Sequence, residues 1–512
     1  MPLLPEEAYY WLYSENPALS YFDHPPMVAW MIGLGTAIGG LTEFGVRLVG
    51  CLMGIGSAGL MYALGRIWST RRTAVLSALL VLVLPVFFGA GLIATMDSAV
   101  MFFWMLSLVT VSLALRRGDW WMWYAAGASI GLTMLSKYTG VFLGLGTALA
   151  IVGRMEWRRH LLSFHPYLGG LLAWAVFSPV LIWNWQHDWA SFKFQFVDRW
   201  EARDVYPKHA LTFLLGQVVV LTPVLLAGMA GAVISLTGRW KRVLTQRWVF
   251  ALAFSAPLLA QMAWKSIWYS IHINWTLPAY LSALPLTCGW MLAVDRGRKI
   301  WSIRAKSWEG MLTATIGVCA AIVAGVSIFM SMYAPKTTLV PAVEEWQSIA
   351  QVVEEHEELL EPEKNEEPLI IADGRYRLAA PLSFYCTKID DDERASKYIT
   401  SQWLIDGEGL GFKYWSKESD WIGRNCVYLD DRGGDPREEL EKQDREIARH
   451  FESVEFVDDA RLSVIGRGKY RIALCRNYLG INPDRQRKKH RSNPDESPKR
   501  SVHDNDNDGD AD

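Results

Sequence analysis

Long apolar runs separated by short polar joints fill the chain up to about Ala334, and beyond it charges are frequent and long apolar runs vanish. Ten apolar segments are read, at roughly 44–65, 73–93, 98–115, 120–135, 138–153, 162–183, 210–236, 248–264, 274–294 and 309–333. A helix needs ~20 residues to cross a bilayer core. Most segments meet that length, and the two between 120 and 153 are short. The pattern predicts a polytopic α-helical membrane protein. Residues 27–40 form a shorter apolar run and predict a helix lying in the membrane interface. The pairs Gly35/Gly39, Gly50/Gly54 and Gly127/Gly131 are helix-packing signals.

Past the apolar region the pattern shortens and begins to alternate. Val343–Glu358 predicts a helix, while 369–373, 426–429 and 461–477 predict strands. The expected organisation is a first outer loop with interfacial helices over 1–43 and a transmembrane region over 44–334. A small α+β domain over 335–480 and a disordered charged tail over 481–512 complete it. The tail's Asp504–Gly509 resembles the start of a calcium loop but lacks the distal glutamate such a loop requires. Cys386, Cys426 and Cys475 fall in the small domain, where a disulfide is possible but its pairing is not legible from sequence.

Positive charge sets the orientation. One set of loops, carrying Arg66, Arg71, Arg72, Arg116, Arg117, Arg154 and others out to Lys306, holds seventeen Lys and Arg, and the alternate set holds six. The first set is therefore assigned to the cytoplasm, which places residues 1–43, the Asp97 loop, the 184–209 loop and everything after 334 outside. Ten spans put both ends outside, yet no apolar run in 1–43 is long enough to carry them across. A further transmembrane helix ahead of Met1 is expected on that ground. The net charge of −2 adds nothing about partners, and nothing points to nucleic acid.

Candidate chemistry gathers in the outward loops. Glu6 and Glu7 follow Pro5, which suits either a helix start favoured by the macrodipole or a general base held over the membrane. Asp23-His24 returns before Pro25-Pro26, a pair that stops any helix. Asp97 follows Ala94-Thr95-Met96 and reads as an N-cap, a site acid or both. Lys137 interrupts two apolar runs and either snorkels to a headgroup or binds phosphate. Trp185, His187, Trp189, Lys193, Arg199, Trp200 and Arg203 suit an interfacial helix or an anionic headgroup equally. Asp390-Asp391-Asp392 reads as a solvated loop. No Walker loop, dinucleotide fingerprint, HExxH or GxSxG occurs.

These pieces together carry a resemblance. Glu6-Glu7-Ala8-Tyr9-Tyr10-Trp11, Tyr21-Phe22-Asp23-His24-Pro25-Pro26, Ala94–Asp97, Leu135–Thr139 and Asn274–Tyr280 look like the membrane glycosyltransferases of the C-type fold. The similarity is greatest to the bacterial branch related to protein O-mannosyltransferases, lipid A aminoarabinose transferases and lipopolysaccharide-core galacturonosyltransferases. Ala372–Tyr376 with Ser383–Tyr385 resembles that branch's periplasmic domain, so the likeness covers about residues 5–430.

The resemblance implies a polyprenyl-phosphate-linked sugar donor and transfer of a hexosyl or pentosyl group. The acceptor would be lipid A, lipopolysaccharide core, another glycan or a protein on the outer face of the inner membrane. It makes Glu6, where the family usually has Asp, the base, with Asp23 and Asp97 orienting acceptor or sugar. Glu7, Tyr10, His24, Lys137, Arg199 and Arg203 would bind substrate and phosphate, and displacement would invert the anomeric carbon. The resemblance fixes no cofactor for certain, and leaves open a divalent metal held by Glu6, Asp23 and Asp97. The family's leading transmembrane helix agrees with the expectation of one upstream. The alternatives are a flippase for lipid-linked glycans, which would place ionisable residues at mid-bilayer, and an inactive member lacking its first helix.

Overall fold

The computed structural model describes all residues except 201–203, 236–244, 294–304, 333–342, 365, 391–394, 408, 466–468 and 483–512. Arg203, Asp391, Asp392 and the tail with its calcium-loop look-alike therefore lie outside the described residues. Two compact units divide the chain. One comprises Met1–Ser348 and Ala380–Ser396, the other Ile349–Ala379 and the residues from Lys397 onward.

The first unit is helical, and each apolar segment of the sequence becomes helix. In chain order its first eight helices are α1 (Pro5–Glu15), α2 (Met27–Gly39), α3 (Glu43–Trp68), α4 (Arg71–Val83), α5 (Pro85–Leu92), α6 (Met96–Arg117), α7 (Met122–Ser136) and α8 (Val141–Gly153). Then come α9 (Met155–Arg158), α10 (His165–Gln186), α11 (Ala190–Phe196), α12 (Pro207–Ile234), α13 (Gln246–Lys265), α14 (Leu277–Leu281), α15 (Leu284–Ala293) and α16 (Ala305–Met332). Among the described residues, five helices are long and apolar enough to cross a membrane, α3, α6, α10, α12 and residues 307–330 of α16. The count rises to seven if the broken pairs α4–α5 and residues 138–162 each form one span. The first pair bends by 65° at Leu84–Pro85, where the proline cannot continue the preceding hydrogen-bond ladder.

Burial ranks these helices. In α6, 78% of the apolar window is buried inside the protein, against 33% or less for the other four. α6 is thus the protein-enclosed centre of the bundle, and Leu52, Ile55, Leu171, Leu214 and Val318 on the other four present apolar surface outward, as lipid-facing positions should. Close crossings use glycine. A Cβ on Gly127 would lie 2.0 Å from the Gly169 carbonyl oxygen between α7 and α10, and one on Gly35 would lie 2.3 Å from that of Gly45 between α2 and α3. The Gly-xxx-Gly reading holds at both places. Residues 27–40 do form a helix, and α1 begins at Pro5 as the acid-rich first turn suggested.

A helix from far along the chain joins this unit. After α17 (Val343–Lys364) comes α18 (Ala379–Asp390). There the Phe384 ring meets Trp11 edge-on at 5.2 Å. Tyr385 Oη accepts from Leu3 N at 3.2 Å and donates to Glu43 Oε1 at 3.3 Å, and Lys388 Nζ reaches Glu43 Oε2 at 2.9 Å.

The second unit contains a five-stranded sheet among the described residues, β1 (Leu369–Ala372), β2 (Ile399–Ser401), β3 (Cys426–Asp430), β4 (Phe451–Val457) and β5 (Arg471–Tyr478), in the order β2-β1-β3-β5-β4. β1 runs parallel to β2 and β3, and β5 antiparallel to β3 and β4. The single strand expected over 461–477 is instead a short helix, Ala460–Val464, followed by β5. Asp459 caps that helix by accepting from Arg461 N at 2.8 Å, a local signal that outweighs the alternation after it. None of the six cysteines is in a disulfide, and Cys426 faces Cys475 across β3 and β5.

Candidate active site

Helix periodicity sends the two opening acids in different directions. Glu6 shares a face of α1 with Tyr9, Tyr10 and Tyr13, at spacings of three, four and seven residues. Glu6 is exposed and Glu7 is not. Glu7 is wholly buried, and its carboxylate accepts from Arg47 Nε at 2.8 Å, Arg47 Nη2 at 2.5 Å, Leu4 N at 2.9 Å and Ala94 N at 2.9 Å. Glu7 was expected beside the substrate; it is instead a clasp joining α1, α3 and the loop ahead of α6, because four donors already fill both oxygens. Arg47 was missed in sequence, although a cation near the start of a largely apolar helix was a visible signal.

The tyrosine face meets the returning loop. Pro25-Pro26 ends the loop after α1 and starts α2, which folds Asp23 back against α1. Tyr9 Oη donates to Asp23 Oδ1 at 3.2 Å, and Tyr13 Oη donates to the same oxygen. Tyr13 and Tyr21 stack at 3.9 Å, fixing the loop from its other side. Burial raises the Asp23 carboxyl to about 6, with the tyrosine hydrogen bonds and the nearby Arg199 cation opposing the rise. Tyr10 packs edge-on to His24 at 5.7 Å between ring centres. Burial, then the Lys137 and Arg199 cations, push His24 down to about 3, so it is a neutral imidazole at ordinary pH.

A second acid stands beside the first. Thr95, not Asp97, is the N-cap of α6: its hydroxyl accepts from Asp97 N at 3.4 Å. That leaves the Asp97 side chain for Lys137 Nζ, 2.9 Å from Oδ1, and for Asn274 Nδ2, 2.5 Å from Oδ2. Lys137 follows the last turn of α7 in extended backbone, so its side chain does not continue the helix surface. The ion pair is largely buried, with side-chain exposures of 16% and 9%, so Lys137 does not snorkel out to a headgroup on its own. Asn274 lies in the 3₁₀ turn Ile273–Thr276.

Residues 190–200 close one side of the cluster. Gln195 donates from Nε2 to the Asp23 carbonyl and accepts at 3.3 Å from Arg199. The Arg199 guanidinium lies over the Trp275 ring at 4.6 Å, and Lys265 Nζ lies 3.2 Å above Trp200. Tyr138 Oη is 2.6 Å from Ser191 Oγ. Of the residues singled out in sequence, Asp23, His24, Asp97, Lys137, Arg199 and Tyr10 come together, and Glu6 stands exposed on the tyrosine face of α1. Tyr9, Tyr13, Gln195 and Lys265 were not singled out. Tyr9 lies within the Glu6–Trp11 motif and Gln195 within the 184–209 loop, but neither carries a spacing signal of its own, and Tyr13 and Lys265 lie outside every motif quoted.

The donor set does not fit a metal held by Glu6, Asp23 and Asp97. Lys137 and Asn274 take the Asp97 oxygens, two tyrosines take Asp23 Oδ1, and no group of three or more His, Cys, Asp or Glu is placed to hold an ion among the described residues. The arrangement offers an anion-binding surface instead. Cations at 137, 199 and 265 stand among aromatic faces, with carboxylates at 23 and 97 beside them.

Known proteins resemble the chain in sequence and in fold. Residues 23–183 match the family described as Dolichyl-phosphate-mannose-protein mannosyltransferase. The lipid A galacturonosyltransferase RgtD of Rhizobium johnstonii is 24% identical over 294 residues, 56% of this chain and 60% of that protein. The undecaprenyl phosphate-alpha-4-amino-4-deoxy-L-arabinose arabinosyl transferase of Pseudomonas aeruginosa is 32% identical over 178 residues, 34% of this chain and 32% of that protein. The chain thus matches less than two thirds of the length of either relative. The crystal structure of ArnT from Cupriavidus metallidurans in the apo state aligns with 92% of this chain and 94% of its own at a TM-score of 0.59 and 16% identity. Its form bound to undecaprenyl phosphate aligns at 0.56 and 15%. The chain has the fold of the C-type membrane glycosyltransferases, and its segment from Asp23 to Trp183 matches the mannosyltransferase family of that fold.

Proposed function

We propose that the protein transfers a sugar from a polyprenyl-phosphate donor to an acceptor at the outer face of the bacterial inner membrane. The observation that carries this reading is the cluster of Asp23, Asp97, Lys137, Arg199 and His24 at one end of apolar helices. A lipid-linked phosphate needs an apolar path for its tail and cations at the rim for its head, and the two meet here. Relatives named for lipid A and undecaprenyl phosphate chemistry support lipid A or a lipopolysaccharide glycan as the acceptor class.

In this reading Glu6 takes the proton of the acceptor hydroxyl as its oxygen forms the new bond to the anomeric carbon. The bond from that carbon to the phosphate oxygen breaks, and the phosphate leaves carrying the electron pair. Lys137 and Arg199 face the charge that develops there. Preorganised cations in such a position are worth more than in water, since no solvent must reorient, and a positioned base contributes roughly 10²–10⁴-fold. Asp23 and Asp97 orient the sugar or acceptor, with Asp97 also holding Lys137. A single displacement from the face opposite the phosphate inverts the anomeric carbon.

The test is reconstitution into liposomes with a synthetic undecaprenyl-phosphate sugar and lipid A. Mass analysis should find one sugar added to lipid A for each undecaprenyl phosphate released. Movement of intact donor between leaflets, with no bond cleaved, would replace this reading with a flippase.

A further inference from the structure

A second polar site stands at the far end of the same helices. α3 carries Arg47 of the Glu7 clasp near its start and Trp68 at its end, about 32 Å away at 1.5 Å per residue. α6 carries Asp97 near its start and Arg116 near its end, about 28 Å apart on the same measure. These spans match the ~30 Å of a bilayer's hydrocarbon core. A cavity of about 1120 Å³ opens at the Trp68–Arg116 end, between the ends of α3 and α6, the starts of α4 and α13, and α15.

Its walls have two characters. Four guanidinium groups, those of Arg72, Arg116, Arg154 and Arg247, line it, and Glu309 is the one carboxylate among the described lining residues. Glu309 is spent on Arg72. Arg116 lies 4.9 Å over the Trp68 ring and donates to the Ile67 carbonyl. Arg154 pairs with the exposed Glu156 through Nη2, and its buried Nε has no hydrogen-bond partner among the described residues. Arg247 is exposed and makes no ion pair among the described residues. The other face of the cavity is apolar and aromatic, with Trp248, Phe250, Leu286 and Trp290.

We propose that this cavity binds the phosphate headgroup of an anionic membrane phospholipid, on the opposite membrane face from the acid–cation cluster. Surplus guanidinium charge facing one side needs an anion, and planar N–H forks match phosphate oxygens. The tryptophans and the apolar wall sit at the level where a membrane helix ends, so acyl chains continue naturally from a headgroup held there. A soluble phosphate would share the guanidinium contacts and leave the apolar wall unused. The inference stands apart from the sugar-transfer reading, since no residue of that cluster takes part.

The experiment uses the full chain purified in detergent, with native mass spectrometry and thermal midpoints read against added phosphatidylglycerol, phosphatidylcholine or inorganic phosphate. Phosphatidylglycerol should be retained and should raise the midpoint, with phosphatidylcholine and inorganic phosphate ineffective at the same concentration. Arg247→Gln and Arg154→Gln should each weaken phosphatidylglycerol binding roughly five-fold. Arg71→Gln removes an exposed charge at the start of α4, outside the cavity lining, and should leave binding unchanged. Inorganic phosphate alone matching the effect would make this a soluble-anion site and overturn the lipid assignment. Equal lipid binding by wild type and both lining variants, each with an unchanged lipid-free midpoint, would overturn the site itself.

Discussion

Replacing Glu7 by Gln isolates the clasp that ties the first helix to the bundle. The carboxylate is fully buried and accepts from four donors, two of them on Arg47, whose side chain is only 11% exposed. Glutamine keeps the shape but offers one acceptor oxygen and turns an NH₂ group toward a donor. Arg47 would keep its bonds to the carbonyls of Met1 and Pro2 but lose its counter-charge. Removing one partner of a buried pair costs about 3–5 kcal/mol, because the other charge remains uncompensated. Unfolding in mixed micelles titrated with sodium dodecyl sulfate measures the loss. Arg47→Met should cost a similar amount, and the double variant should fall short of the sum by roughly 0.5–3 kcal/mol, the usual coupling of contacting residues. Sugar transfer should fall as well, since the Ala94 amide held by Glu7 begins the turn that presents Asp97. A Glu7→Gln protein within about 1 kcal/mol of wild type would refute the buried-pair reasoning.

Other perturbations separate the roles of the cluster. Asp23 is raised from its ordinary 3.8 to about 6, so protonation stabilises the folded state; that stability is fully present below about pH 4 and is lost as pH rises through about 6. Asp23→Asn should therefore be more stable than wild type at pH 7.5, by up to about 3 kcal/mol, while losing transfer activity; a destabilised variant there would contradict the burial argument. Wild-type transfer should rise with pH through about 6 as Asp23 ionises, and His24→Gln should leave that limb in place because His24, pushed down to about 3, is already neutral. Lys137→Met removes the Asp97 partner and a phosphate-facing cation together, and should lower the transfer rate roughly 10²–10³-fold. Lys137→Arg should recover part of that loss, and full activity in Lys137→Met would remove Lys137 from the mechanism. Chelators should leave the rate unchanged, since the carboxylates are already engaged by Lys137, Asn274 and tyrosines.

Helix content was legible because apolar runs bounded by prolines, threonine caps and arginines leave few other choices in lipid. The site was partly legible for a different reason. Asp23, Asp97 and Lys137 are ionisable groups beside apolar runs, where a charge without a partner is costly. Their mutual pairing was not visible, since Lys137 reaches Asp97 across 40 residues of chain and Asn274 reaches it across 177. Thr95 took the cap expected of Asp97 because its shorter side chain sits one residue before the helix. Adjacent glutamates could not be told apart by motif alone; on α1, one residue of helical rotation sends Glu6 toward the tyrosine face and Glu7 into the bundle. The joining of α18 to the first unit rests on single long-range contacts such as Lys388–Glu43, which no local pattern encodes.

The most direct test of sugar transfer is a three-protein comparison in membranes supplied with a labelled polyprenyl-phosphate sugar. Wild type, Glu6→Gln and Asp23→Asn are brought to equal abundance, and label in the glycan or lipid A fraction is counted. The expected result is label with wild type and a loss of at least roughly 10²-fold with each variant, the scale of a positioned base or its partner. Equal labelling by all three proteins would contradict the assignment of the site to the first outer loop, and labelling by none, with the donor intact, would contradict the transfer itself.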